Sequence, residues 1–180
     1  MTEKHTGTGN LPACLGGLAA VLLLLVFDQW TKWLAVHFLK EEPSISLIPG
    51  VLELQYLENR GAAFGILQNH QMVFVVICAV FVIAVALFYR LLPHTRRMLP
   101  MHIICILAVA GGIGNAIDRV RLNYVVDFIY FSLIDFPIFN VADCYVVICA
   151  ILLIIFYLFY YKDEDFSFLD QIFRKKESSK

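Results

Sequence analysis

The chain has 180 residues, of which 60% are hydrophobic and only 16% are charged. A soluble domain carries about 25% charged and about 45–50% apolar residues, so this excess of apolar side chains predicts burial in lipid as well as in a protein core. The net charge of −1 at pH 7 gives no indication of a nucleic-acid-binding protein.

Four apolar stretches are each near the length of about 20 residues that a helix needs to cross a bilayer. The predicted spans cover residues 15–34, 72–92, 99–117 and 139–161. The sequence therefore predicts a polytopic membrane protein whose two tails lie on the same side of the membrane.

The five cysteines predict neither a disulfide framework nor a metal site. Their number is odd, most of them lie in the apolar stretches, and the chain has no C-x-x-C pair. We expect them to act as small hydrophobic side chains within helices.

The lysines and arginines predict the orientation, because cytoplasmic segments are enriched in both. Nine of the fourteen lie in the tails, at the end of the second span or between the second and third spans: Lys4, Arg90, Arg96, Arg97, Lys162, Arg174, Lys175, Lys176 and Lys180. We therefore predict that both termini are cytoplasmic and that residues 35–71 and 118–138 face outward.

The first span carries the charged segment 28–32, DQWTK, in its outer half. Asp28 and Lys32 are four residues apart on one helix face, and their pairing lowers the cost of both charges in a membrane. Trp30 and Trp33 fit an interfacial aromatic belt. We expect a neutralised pair that anchors the helix end, so that Lys32→Ala lowers abundance more than chemistry.

The first outer connection is predicted to form a small β-hairpin over residues 44–57, with a turn at Pro49 and Gly50. Residues 59–65, NRGAAFG, follow it. Their small side chains let an extended peptide approach closely, and Asn59 and Arg60 offer donors for substrate carbonyls. Many ordinary loops have the same composition, so this segment alone does not establish a binding site.

The third span ends in residues 111–119, GGIGNAIDR. Its three glycines allow helices to approach closely in lipid. Asn115, Asp118 and Arg119 share one helix face, so Arg119 either pairs with Asp118 or orients a nearby carboxylate. A packing seam with an interfacial ion pair explains the same pattern and is compatible with a functional role.

Asp127 and Asp143 are the strongest catalytic candidates. Asp127 lies just beyond the outward-running third span and Asp143 in the first turns of the inward-running fourth span, so both reach the same membrane face. Two close carboxylates tend to share a proton, so that one activates water while the other assists the scissile carbonyl. Two unrelated acids solvated by headgroup water are the alternative. Asp135 lies nearer the centre of the loop, without polar neighbours.

In this order, the polar segments resemble the lipoprotein signal peptidase family, also called signal peptidase II. The matching segments are residues 28–32, 59–65, 114–119, 125–128 and 139–143. The expected fold is an all-α membrane protein with four transmembrane helices and a small extracytoplasmic β-hairpin, or cradle, between helices 1 and 2. Residues 1–161 would form the protease domain, and residues 162–180 a cytoplasmic tail.

The resemblance also implies a site and a reaction. It assigns Asp127 and Asp143 as the catalytic dyad of an aspartic endopeptidase. The residues that we expect to bind substrate are Asn59, Arg60, Gly61, Asn115, Arg119 and Asn140. Those that we expect to support the site are Asp28, Lys32 and Asp118.

The implied substrate is a prolipoprotein that carries a diacylglyceryl-cysteine. The signal peptide would be removed just before that cysteine, at the outer face of the bacterial cytoplasmic (inner) membrane. Neither a metal nor an organic cofactor is implied, and we expect a monomer in contact with membrane lipid.

Other membrane proteins fit the pattern less well. A coupled transporter sets its carboxylates near the midplane, often in internal repeats, whereas these acids lie near one face and no repeat is present. A presenilin-like protease needs a Gly-x-Gly-Asp signature and more than four spans, and the sequence has neither feature. A thiol hydrolase that uses Cys144 lacks a base nearby in sequence. A purely structural four-helix scaffold does not explain the polar outer face.

Overall fold

A computed structural model describes residues 11–61 and 71–169 of the chain. The helices and strands, in chain order, are α1 (Leu11–Leu39), β1 (Ile45–Ile48), β2 (Leu52–Asn59), α2 (Gln71–Leu91), α3 (Leu99–Leu122), β3 (Val125–Tyr130) and α4 (Val141–Phe159). Several residues used in the predictions lie outside the described ranges: Lys4, Ala62, Ala63, Phe64, Gly65, Arg174, Lys175, Lys176 and Lys180.

All four helices are long and apolar enough to cross a membrane, as predicted. On α1, Leu23 and Val26 are 72% and 68% exposed in the protein alone, which identifies a surface for lipid to cover. The helix is longer than the predicted span at both ends. It continues past the apolar stretch to Leu39, and Glu41 just beyond its end takes a left-handed conformation with φ 68°.

The predicted β-hairpin between α1 and α2 is present as antiparallel β1 and β2. Gly50, with φ +68°, lies in the turn between the two strands. A third strand, β3, pairs antiparallel with β2 to give the order β1-β2-β3. The sequence did not predict β3, because its first four residues are all buried and show no alternation of polar and apolar side chains. The strand carries Asp127.

The central helix is α3, which has nine buried residues. Its glycines bring neighbouring helices close, as expected. A Cβ added at Gly111 would lie 2.7 Å from the backbone oxygen of Ala142 in α4, and one added at Gly114 would lie 2.7 Å from Oδ2 of Asp28 in α1. The approach of α1, α3 and α4 at this point brings their polar side chains together.

The opposite end of the bundle is held by an apolar cluster that includes Leu92, Met101 and Tyr161. Beside it, Arg97 binds the carboxylate of Asp165 through Nη2 at 2.9 Å. Part of the predicted tail, residues 162–169, is therefore tied to the connection between α2 and α3.

Candidate active site

The two candidate aspartates lie where β3 and the beginning of α4 meet. Asp127 is in the buried half of β3 and is only 1% exposed. Asp143 is the third residue of α4. The sequence reasoning expected Asp127 just beyond the third span and Asp143 in the first turns of the fourth, and it assigned Asp127 to no strand. The structure places Asp127 on a strand, and the pairing of β3 with β2 fixes its position.

Asn140 connects the two carboxyl groups. Its Nδ2 donates to Asp127 Oδ1 at 2.6 Å, and its backbone N–H donates to Asp143 Oδ2 at 3.1 Å. Its own Oδ1 accepts from the Asp143 N–H at 3.1 Å, which makes Asn140 the N-cap of α4. Because the helix N–H can only donate, the amide oxygen must face it and the amide hydrogens must face Asp127.

Asn59 holds the second oxygen of Asp127. Its Nδ2 donates to Asp127 Oδ2 at 2.8 Å, while its Oδ1 accepts from the N–H of Gly61 at 3.0 Å. This local turn at the end of β2 fixes the orientation of the amide. Both oxygens of Asp127 therefore accept hydrogens from amide side chains.

Asn115 of α3 holds Asp143. Its Nδ2 donates to Asp143 Oδ1 at 2.7 Å. Its Oδ1 accepts from Lys32 Nζ at 2.9 Å and from Asn140 Nδ2 at 3.0 Å. One continuous hydrogen-bond network therefore joins Lys32, the three asparagines and both aspartates.

Burial raises the pKa of Asp127 from its ordinary value of 3.8 to about 7. The hydrogen bond from Asn59 lowers this pKa, the nearby charge of Asp143 raises it, and the hydrogen bond from Asn140 lowers it. A carboxyl group with this pKa still holds its proton at slightly acidic pH, where an exposed aspartate is ionised.

Lys32 lies between two acids in a buried ion cluster. Its Nζ is 3.1 Å from Asp28 Oδ2 and 3.0 Å from Asp118 Oδ2, and all three residues are at most 3% exposed. The expected pair of Asp28 and Lys32 is present, with Asp118 as a third member. Asp28 also accepts from the N–H of Ala142 at 2.9 Å, and Asp118 from that of Val126 at 3.2 Å. The cluster therefore fixes the start of both α4 and β3.

Arg119 does not supply the partner of Asp118, which is Lys32. Its Nη1 and Nη2 donate to the backbone oxygens of Asn115 and Gly61 at 3.4 and 3.5 Å, and its guanidinium lies 4.8 Å from the ring centre of Phe74. Arg119 therefore ties α3 to the end of the β2 segment.

The side chain of Arg60 pairs with Glu58. Its Nη2 donates to Glu58 Oε2 at 2.9 Å, and its side chain is 55% exposed. The backbone oxygen of Arg60 accepts from Gln71 Nε2 at 2.5 Å, a contact that sequence reasoning did not predict. Asp135 accepts a hydrogen bond from the hydroxyl of Tyr130 at 2.7 Å in an exposed position, whereas Asp127 is buried.

A family model described as signal peptidase (SPase) II matches residues 20–159. A lipoprotein signal peptidase of Streptococcus thermophilus (strain CNRZ 1066) is 50% identical over 136 residues, which is 76% of this chain and 88% of that protein. A lipoprotein signal peptidase of Streptococcus pyogenes serotype M5 (strain Manfredo) is 44% identical over 148 residues, which is 82% of this chain and 93% of that protein.

Two solved structures, each described as a bacterial membrane enzyme determined by the in meso method, share the fold. The one at 2.3 Å resolution has a TM-score of 0.72 and 33% identity, covering 86% of this chain and 93% of that chain. The one at 1.9 Å has a TM-score of 0.71 and 33% identity, covering 87% and 100%. The matched residues, the sequence identity and the shared fold together show that this chain belongs to the signal peptidase II family of peptidases.

Proposed function

We propose that this chain is an intramembrane aspartic endopeptidase that removes the signal peptide from diacylglyceryl-modified prolipoproteins, just before the lipid-modified cysteine. The observation that carries the proposal is the pair formed by the buried Asp127 and the half-buried Asp143, bridged by Asn140. The similarity to lipoprotein signal peptidases supports the choice of substrate.

The surroundings of the two carboxyl groups suggest different roles for them. Asp127 is buried, and its pKa of about 7 lets it carry a proton near neutral pH. Asp143 lies in the first turn of α4, where the helix N-terminus and the N–H of Asn140 stabilise a negative charge. In our proposal Asp127 is the acid and Asp143 is the base.

The reaction then needs only water. Asp143 takes a proton from a water molecule as its oxygen attacks the scissile carbonyl carbon, while Asp127 gives its proton to the carbonyl oxygen. The tetrahedral diol collapses when the carbon–nitrogen bond breaks. The leaving amine takes the proton from Asp143, and a diol hydroxyl returns one to Asp127.

The asparagines belong to this mechanism as positioning groups. The amide hydrogens of Asn59, Asn115 and Asn140 point at the carboxyl oxygens and keep them fixed. A direct contact of these amides with substrate, and of Arg60, Gly61 and Arg119, stays a prediction. The peptide must unwind near the cleavage point, because a helix keeps its carbonyl groups in internal hydrogen bonds.

We place the protein in the bacterial cytoplasmic (inner) membrane as a multi-pass monomer, with both termini cytoplasmic and the site at the outer face. The basic residues Arg90, Arg96 and Arg97 support this orientation, because they lie at the opposite end of the helices from Asp127. Water is available at the interface and scarce at the bilayer centre, which suits a hydrolase.

The proposal is tested with purified protein and two forms of one prolipoprotein, with and without the diacylglyceryl group on its cysteine. We expect cleavage of the modified form only, with the lipid-bearing cysteine at the new N-terminus by mass spectrometry. Equal cleavage of both forms would contradict the proposed substrate, and cleavage at another bond would contradict the proposed site of cleavage.

A further inference from the structure

Lys32 contacts more than the two acids that neutralise its charge. Its Nζ also lies 2.9 Å from Oδ1 of Asn115 and 3.4 Å from the backbone oxygen of Gly114. Charge compensation explains why Asp28 and Asp118 surround a buried lysine. It does not explain the contact with Asn115, which is the residue that holds Asp143.

An asparagine amide can rotate to exchange its oxygen with its NH₂ group, so its orientation depends on its partners. An ionised Asp143 selects the NH₂ end of Asn115, but a protonated carboxyl group can also donate and therefore accepts either end. In the proposed reaction Asp143 gains and loses a proton in every turnover. Asn140 Nδ2 also donates to Oδ1 of Asn115, at 3.0 Å, but the ammonium group of Lys32 is the closer donor, at 2.9 Å, and the charged one. Because an ammonium group can only donate, Lys32 keeps Oδ1 of Asn115 on its own side throughout.

We propose that Lys32 is a positioning residue of the reaction, which holds Asn115 so that its NH₂ group faces Asp143 in both protonation states of that carboxyl. This inference rests on the proposed function and adds a role to the ion pair expected from the sequence. Charge pairing alone predicts that loss of Lys32 lowers abundance. The contact with Asn115 predicts that turnover by each folded molecule falls as well.

Gln29 provides a matched control. Its Nε2 donates to Asp118 Oδ1 at 2.9 Å, to the backbone oxygen of Gly114 at 3.2 Å and to Asp28 Oδ2 at 3.2 Å. It therefore shares three acceptor residues with Lys32, while within the described part of the chain it makes no hydrogen bond to Asn115. Gln29→Met perturbs the same cluster and leaves the Lys32–Asn115 hydrogen bond in place.

The experiment measures kcat and KM per folded molecule for Lys32→Met and Gln29→Met, on a diacylglyceryl-modified lipopeptide. We expect kcat of Lys32→Met to fall about 10- to 100-fold with KM little changed, because a misplaced catalytic group loses rate more than binding. Gln29→Met should keep the wild-type kcat. Equal loss of kcat in both variants, or a normal kcat in Lys32→Met, would overturn the inference.

A charge-compensated pair of variants covers the case in which Lys32→Met does not fold. Lys32→Met with Asp118→Asn removes one cation and one anion, and it is compared with Asp118→Asn alone. A further fall in kcat of about 10-fold or more supports the inference, and equal kcat values overturn it. If wild-type protein does not cleave the lipopeptide, or Asp143→Asn does cleave it, the proposed function fails instead.

Discussion

At the residue scale, the orientation of each asparagine around Asp127 and Asp143 is decided by a donor outside the pair. The donors are the N–H of Gly61 for Asn59, the ammonium of Lys32 together with the NH₂ of Asn140 for Asn115, and the N–H at the start of α4 for Asn140. Each amide therefore directs its hydrogens at a carboxyl group. This arrangement fixes the carboxyl groups before a substrate arrives.

Asn140 has two separable roles, and two substitutions distinguish them. Asn140→Ala removes the N-cap, so we expect it to lower stability by about 1 kcal/mol. It also removes the hydrogen bond to Asp127, so we expect it to lose turnover. Asn140→Ser keeps a capping hydroxyl but is too short to reach Asp127, so it should stay near the wild-type Tm and still lose turnover. Thermal unfolding and kcat measured on the same samples check this. A normal kcat for Asn140→Ser would show that the contact with Asp127 is dispensable.

The pH dependence of cleavage reports the proton on Asp127. Because its pKa is about 7 and its protonated form is the proposed acid, kcat should fall as the pH rises through that value. The hydrogen bond from Asn59 lowers this pKa, so Asn59→Ala should raise it and move the alkaline limb to higher pH. Rate profiles of both proteins across that range measure the shift. If the alkaline limb of the Asn59→Ala profile stays in place or moves to lower pH, Asp127 is not the acid that this limb reports.

Sequence reasoning anticipated which polar residues lie together better than it anticipated their contacts. The two candidate aspartates, the asparagines and the pair of Asp28 and Lys32 follow from polar residues in apolar surroundings and from motif order. The N-cap at Asn140 was also readable, because Asn followed three residues later by an acid is a capping signature. The partnership of Lys32 with Asp118 and Asn115 was not, because it joins residues more than 80 positions apart.

At the element scale, the glycines of α3 and the strand β3 determine where the site forms. Four helices were predictable because a membrane-spanning helix needs a long apolar stretch. Strand β3 was not, since burial of consecutive residues removes the alternation that identifies a strand and only two residues separate it from α3. The strand could be recognised only through its pairing with β2.

Gly111 tests the close contact of α3 with α4. A Cβ there would lie 2.7 Å from both the backbone oxygen of Ala142 and Cγ2 of Val146, so α4 has to move. We expect Gly111→Ala to lower stability by about 1–3 kcal/mol. Gly16→Ala on α1 is the matched control, because no atom of residues 11–61 or 71–169 lies within 4 Å of its added Cβ. Thermal unfolding in detergent compares them, and equal Tm values would contradict the predicted packing.

At the scale of the whole molecule, an aspartate–asparagine network lies at one end of the helices and an arginine–aspartate ion pair lies at the other. The two candidate aspartates and their network lie where β3 meets α4, while Arg97 and its partner Asp165 lie at the other end. The proposed orientation of this axis in the membrane rests on the distribution of lysine and arginine along the chain. In that proposal, substrate and water reach the aspartates from the outer side.

A reporter that is active only in the periplasm tests this orientation when it is fused after Lys180. We expect it to be silent, because an even number of spans and a basic middle connection place the C-terminus in the cytoplasm. The same reporter inserted in the connection between α1 and β1, beside Glu42, is the control and should be active. The reverse pattern would move the dyad to the cytoplasmic face and contradict the proposed topology.

The most direct test of the account is cleavage of a diacylglyceryl-modified prolipoprotein by purified Asp127→Asn and Asp143→Asn. Asparagine keeps the size of the side chain but cannot cycle a proton, so we predict that both variants fold, bind substrate and lose turnover, and that the double variant is scarcely worse than either single one. Asp135→Asn, an acid outside the buried network, should cleave normally. Near-wild-type turnover by either dyad variant would contradict the account.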